Sequence, residues 1–196
     1  MSTTSLIIEF LIIGIQVAIW LILMFLSIFG VDWFVFEKIK GFEIIIAALA
    51  LPIVYPIGIF VDNLADSLLD KWNWKIRGEY IPEKSQSVIK LLVIAKNEWL
   101  AAIFEYSRTR IRISRSTALN FLIITVILPT FIITRLDSLF GTYTWWVAAL
   151  GFTTCALIMI FALWSWQHIT HTLWRRLKYA YELFPETATV ESPPKA

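Results

Sequence analysis

The amino-acid sequence predicts an all-α integral membrane protein with four transmembrane helices, the second, third and fourth extending into a cytoplasmic helical bundle. Three observations predict it: apolar residues fall in four long blocks, Lys and Arg are distributed unevenly between those blocks, and long stretches contain neither Pro nor Gly. Hydrophobic residues make up 58% of the 196, above the roughly 45–50% of a soluble domain.

A helix needs about 20 apolar residues to cross about 30 Å of hydrocarbon. Residues 5–30, 42–62, 116–134 and 144–166 each supply such a block. The first is too long for the core of a signal peptide and has neither a basic leader nor a small-x-small cleavage site, so an uncleaved span is expected. Aromatic residues mark the ends of the blocks. Trp33 and Phe34 follow the first, Tyr143, Trp145 and Trp146 open the fourth, and Trp164, Trp166 and Trp174 close it. Amphipathic rings prefer such interfacial positions.

Orientation follows from the basic residues. Lys38 and Lys40 lie between the first two spans, and Arg135 between the last two. The remaining Lys and Arg lie between spans two and three or after span four. The positive-inside rule then places both termini and the long middle loop in the cytoplasm, with the inner membrane of a bacterium as the expected location. A net charge of +2 gives no basis for nucleic-acid binding by bulk electrostatics.

Between Pro82 and Pro129, between Gly58 and Gly78, and between Gly151 and Pro185 nothing interrupts a helix. A helix over 84–134 would be about 75 Å long, so the spans are expected to outrun the bilayer. The expected organisation is 1–62 for spans one and two, 63–115 for a cytoplasmic helical hairpin, and 116–166 for spans three and four. A helical extension over 167–184 and a disordered, Pro-rich tail over 185–196 complete it. Val61, Leu64, Leu68, Trp72 and Ile76 form a stripe at helical spacing, with Asp62, Asp66 and Asp70 in a row beside it. Gly78 is the expected C-terminal cap of this helix and Pro82 the first turn of the next. In the hairpin, Trp72 would lie near Val88 and Leu68 near Leu92.

The most distinctive stretch runs from Glu105 to Ser116 and carries Arg108, Arg110, Arg112 and Arg115. On a helix Arg108, Arg112 and Arg115 share a face, and Glu105 lies one turn from Arg108. At headgroup depth these arginines would bind anionic lipid. They could instead pair with Asp62 and Asp66 across the hairpin, or hold a phosphate-bearing ligand. The Arg-Ile-Arg-Ile alternation is the expected place for the helix to bend.

Pro52 and Pro56, four residues apart, should kink the second span. Gln16 and Tyr55 are candidates to line a pore if one exists. His168 and His171 are expected to make interfacial hydrogen bonds, and Cys155 to be a small apolar packing residue. Glu9 and Glu43 lie near span ends within reach of an interface, which argues against a proton-coupled transporter. The sequence contains no phosphate-binding glycine loop, Cys-x-x-Cys pair, His-Glu-x-x-His run or nucleophile elbow, so neither catalysis nor a cofactor is expected. In layout alone the chain resembles small multi-span proteins that work beside a cytoplasmic partner, including membrane components of bacterial defence systems. The leading expectation is a non-enzymatic, homo-oligomeric membrane component that docks a cytoplasmic protein. A ligand- or partner-gated channel and a lipid-modifying enzyme are the alternatives.

Overall fold

The computed structural model describes residues 3–30, 41, 43–80 and 98–183. Four long helices dominate: α1 over Thr3–Phe29, α2 over Glu43–Tyr80, α3 over Glu98–Arg135 and, after a short α4 over Asp137–Phe140 and a 3-10 turn over Gly141–Tyr143, α5 over Thr144–Leu183. Among the described residues every regular element is helical. All four long helices are long and apolar enough to cross a membrane. The chain therefore reads as a membrane protein, in agreement with the sequence.

Helix lengths follow from the sequence. α1 stops at Gly30, whose φ of 86° is a left-handed conformation that glycine adopts without a Cβ clash. Arg135 then binds the exposed end of α1, donating through Nε to the Ser27 carbonyl at 2.9 Å and through Nη2 to the Ile28 carbonyl at 2.7 Å. A cation at a helix C-terminus satisfies both the orphan carbonyls and the helix dipole. α3 carries no charged residue between Arg115 and Arg135, a separation of about 30 Å along a helix. That distance is about the hydrocarbon thickness of a bilayer, and the two arginines bracket the uncharged stretch of α3, which with its neighbours forms the apolar slab of the bundle.

Helices α2, α3 and α5 run past the end of α1 and pack around a core of their own. Ile76 from α2 joins Trp166, Leu173, Trp174 and Leu177 from α5, with Phe104 and Ile111 of α3 packed against them. Trp72 meets Trp166 edge to face at 5.7 Å between centroids. Beside the apolar slab, α1 packs its Ile13 and Val17 with Val61 of α2 and Leu119 of α3.

Four local expectations fare differently. Gly78 does not cap α2, which continues to Tyr80. The inward stripe of α2 also differs. Val61, Asp62, Ala65 and Ile76 are buried, whereas Leu64 and Leu68 are 42% and 61% exposed. Of the aspartate row, Asp62 faces the bundle, where Arg112 and Arg115 satisfy it, while Asp66 and Asp70 are exposed. α3 passes through the Arg-Ile-Arg-Ile segment as one helix. The expected neighbours of Trp72 and Leu68, namely Val88 and Leu92, lie outside the described residues, as do 31–40 and the tail over 185–196.

Pro52 and Pro56 both lie inside α2 and face outward, while the opposite face makes a close contact with α1. A Cβ built on Gly14 would fall on the Val54 carbonyl, and one built on Gly58 on the Phe10 carbonyl. α1 and α2 thus cross backbone to backbone, the arrangement small residues permit where lipid offers no hydrophobic drive. Gly58→Ala is expected to lower stability by about 1–3 kcal/mol through overpacking. Gly78→Ala, whose added methyl meets nothing within 4 Å, should raise it by up to about 1 kcal/mol. Thermal unfolding in detergent, followed by tryptophan emission, measures both, and equal effects would refute the close crossing.

Candidate functional site

The site begins with two helical faces whose polar residues recur every three or four positions. On α3 these are Thr109, Arg112, Arg115, Ser116 and Asn120, and on α2 they are Asp62 and Asp66. The two faces meet α1 at Glu9. Ser116 and Asn120 are fully buried, Glu9 is 2% exposed and Asp62 5%, so each polar atom needs a partner inside the protein.

Asp62 is the centre. Its Oδ1 accepts from Arg115 Nη2 at 2.8 Å and from the Ser116 hydroxyl at 3.0 Å, and its Oδ2 faces Arg112 Nε at 3.3 Å. Arg115 also pairs with Asp66 through Nη1 and Oδ1. Arg112 reaches in the other direction, from Nη1 to Glu9 Oε2 at 3.3 Å, while the Thr109 hydroxyl donates to Glu9 Oε1 at 2.7 Å. The Arg112 guanidinium also lies 5.4 Å from the centroid of the Phe10 ring. Three carboxylates on two helices are thereby held by two arginines on a third.

A neutral tier lies one to two turns deeper in the slab. The Gln16 side-chain oxygen accepts from Asn120 Nδ2 at 3.1 Å and from the Thr117 hydroxyl at 3.2 Å, and Trp20 Nε1 donates to Asn120 Oδ1 at 3.2 Å. Side-chain amides between membrane helices act as interhelical ties of this kind.

On the extension side the network opens into a cleft of about 600 Å³ between α2, α3 and α5. Asp62, Asp66, Arg112 and Arg115 form one end of its lining, Arg77 and Arg108 contribute two more cations, and Phe104 and Trp174 supply apolar walls. Arg77 is held between two indoles, 5.4 Å from the ring centroid of Trp74 and 5.4 Å from that of Trp174.

The residues expected from sequence are distributed as follows. Arg112, Arg115, Asp62 and Asp66 meet in the ion-pair network. Arg108 lines the cleft, and Arg110 is exposed and lies 5.5 Å from the Tyr106 ring. Gln16 is bonded to α3, and Tyr55 packs edge to face on Phe10 with centroids 5.9 Å apart. His171 Nδ1 is 3.1 Å from the Tyr80 hydroxyl, and His168 stacks on Trp164. Glu9, expected within reach of an interface, is buried between helices against Arg112 and Thr109. Sequence reasoning also passed over Thr109, Ser116, Thr117, Asn120 and Trp20. Their signal was the spacing 109, 112, 116, 120, one face of one helix that stays polar into an apolar block.

No family model, curated protein or solved structure matches the chain. The geometry therefore carries the functional argument.

Removing one member of a buried ion pair strands the other. Arg115→Met is expected to cost about 3–5 kcal/mol by leaving Asp62 short of its nearest cation. The double change Asp62→Leu with Arg115→Met should recover part of that loss. Thermal unfolding of the two singles and the double in a double-mutant cycle measures the coupling, and strictly additive losses would dissolve the network as a unit.

Proposed function

We propose that the chain is a non-enzymatic component of a cytoplasmic-facing membrane assembly, built from several copies, whose helical extension docks a soluble protein. The observation that carries this reading is a row of exposed apolar side chains on the extension. Leu64, Leu68 and Trp72 lie four residues apart on α2 and are 42%, 61% and 44% exposed, although the extension already has a filled core. Counted from the Asp62 tier, the row reaches about 15 Å beyond the slab. Contiguous apolar surface at that height suits a protein partner better than lipid tails. An amphipathic helix of the partner, laid along α2, would cover three such anchors. The exposed Arg110 beside Tyr106 suits contact with anionic headgroups at the base of the extension.

Orientation is tested in a Cys155→Ala background. Ser138→Cys should react with an impermeant maleimide in intact cells, and Ser67→Cys only after permeabilisation. The reverse pattern would remove the cytoplasmic assignment. Copy number is read from the mass of the detergent-solubilised particle, and a single chain would sink the multi-copy part. For docking, a photoreactive residue replacing Leu68 should crosslink in membranes to one defined soluble protein, and one replacing Leu150 to lipid. Lipid adducts at both positions would end the docking reading.

A further inference from the structure

We infer that the cleft between α2, α3 and α5 is a binding site for a phosphate-bearing small molecule, with Arg77 and Arg108 as the groups that grip the phosphate. The inference is independent of protein docking on the outer face of α2.

The charges on the cleft divide into two classes. Arg112 and Arg115 are committed to Glu9, Asp62 and Asp66. Arg77 and Arg108 line the same cleft, and neither forms an ion pair among the described residues. The lining itself carries four arginines against two aspartates, with Asp70 acting on Arg77 and Glu9 on Arg112 from outside it. A cation ligand is disfavoured, because both oxygens of Glu9 and Asp62, and Oδ1 of Asp66, already face a guanidinium or hydroxyl group.

Donor geometry points the same way. Two buried side-chain nitrogens among the described residues have no hydrogen-bond partner, Arg77 Nε and Arg115 Nε. Both residues line this cleft. The Arg77 guanidinium carbon lies 5.4 Å from the ring centroids of both Trp74 and Trp174, cation–π contacts that localise the group without using its N–H donors. A flat, pre-oriented fork of N–H donors matches the oxygens of a phosphate. Asn63 and Asn73 add neutral polar groups to the lining.

Size and walls define the rest of the ligand. A volume of about 600 Å³ is typical of a small-molecule site and far exceeds one phosphate group. Phe104, Leu173 and Trp174 give one side of the cleft an apolar, partly aromatic surface. The fitting ligand is thus an organic phosphate with its charged end at Arg77 and Arg108 and its carbon portion against α5. Because the Asp62 end lies level with the boundary of the apolar slab, the phosphate can come from a lipid headgroup or from a soluble ester.

The test uses the full chain in nanodiscs, with two arms. In the first, discs of phosphatidylcholine receive inorganic phosphate or glycerol 3-phosphate against a chloride control of equal ionic strength. In the second, phosphatidylglycerol or phosphatidic acid replaces part of the phosphatidylcholine. Tryptophan emission and the unfolding midpoint are followed in both. The wild-type chain should respond in at least one arm. A response to the soluble probes identifies a free ester, and a response to the lipids alone identifies a headgroup. Arg77→Gln and Arg108→Gln should each weaken the response by about tenfold or more, the loss of one charge-assisted contact. Arg176→Gln, at an exposed residue outside the cleft lining, should leave it unchanged. Arg108 is exposed, so its substitution keeps the test valid if Arg77→Gln fails to fold. Absence of a response in both arms, or an equal loss with Arg176→Gln, would overturn the proposal.

Discussion

The carboxylate of Asp62 is the constraint on which the junction between span and extension depends. It is buried at the level where the apolar slab ends, and an ionised group there is tolerable only with cations and donors around it. Arg115, Ser116 and Arg112 provide them, and all three belong to α3. The rotation and height of α3 against α2 are fixed as a result, since a shift of one residue would turn these groups away by about 100°. Arg112 then extends the constraint to α1 through Glu9. A buried ion pair contributes little net stability against an apolar replacement, yet it penalises every arrangement in which its members separate. Its role here is to select one packing of three helices whose apolar faces alone would accept several.

α1 is held at both ends by α3. Near its start Glu9 receives Thr109 and Arg112, and at its end Arg135 receives the Ser27 and Ile28 carbonyls. Between these points the Gln16 tie to Thr117 and Asn120 keeps the two helices in register. The Gly14 and Gly58 crossing brings α2 against the same helix from another side. Beyond the Glu9 tier, α2, α3 and α5 close around Ile76 and Trp174, and the cleft is lined by those three helices.

Much of this was legible in the sequence. Four apolar blocks marked four helices, and the lack of Pro and Gly after Gly58 and Gly151 marked helices longer than a bilayer. The pairing of arginines with Asp62 and Asp66 was readable as one alternative among several, because both sets of residues sit just beyond an apolar block. Other features were hidden for physical reasons. Glu9 reads as an interfacial residue when only its distance from the end of α1 is considered, and its burial depends on α3 supplying Thr109 and Arg112 from about a hundred residues away. The direction of the α2 stripe was misjudged because apolar periodicity favours Leu64 and Leu68 as the inner face. A carboxylate with two arginine partners outweighs two leucines in deciding which side turns inward. Gly78 signals a helix end only when the chain must reverse there, and α2 continues through it to Tyr80 among the described residues.

The same reasoning explains why the cleft borders the ion-pair network. Arg115 donates from both Nη atoms to aspartates on α2, which leaves its Nε without a partner. Arg77 lies against indoles from α2 and α5, and likewise keeps a buried Nε without a partner. Both arginines, on separate helices, line one cavity whose third wall is α5. A group that accepts from both must bridge α2 and α3 while resting on α5, so occupancy of the cleft and the spacing of the extension helices are the same variable.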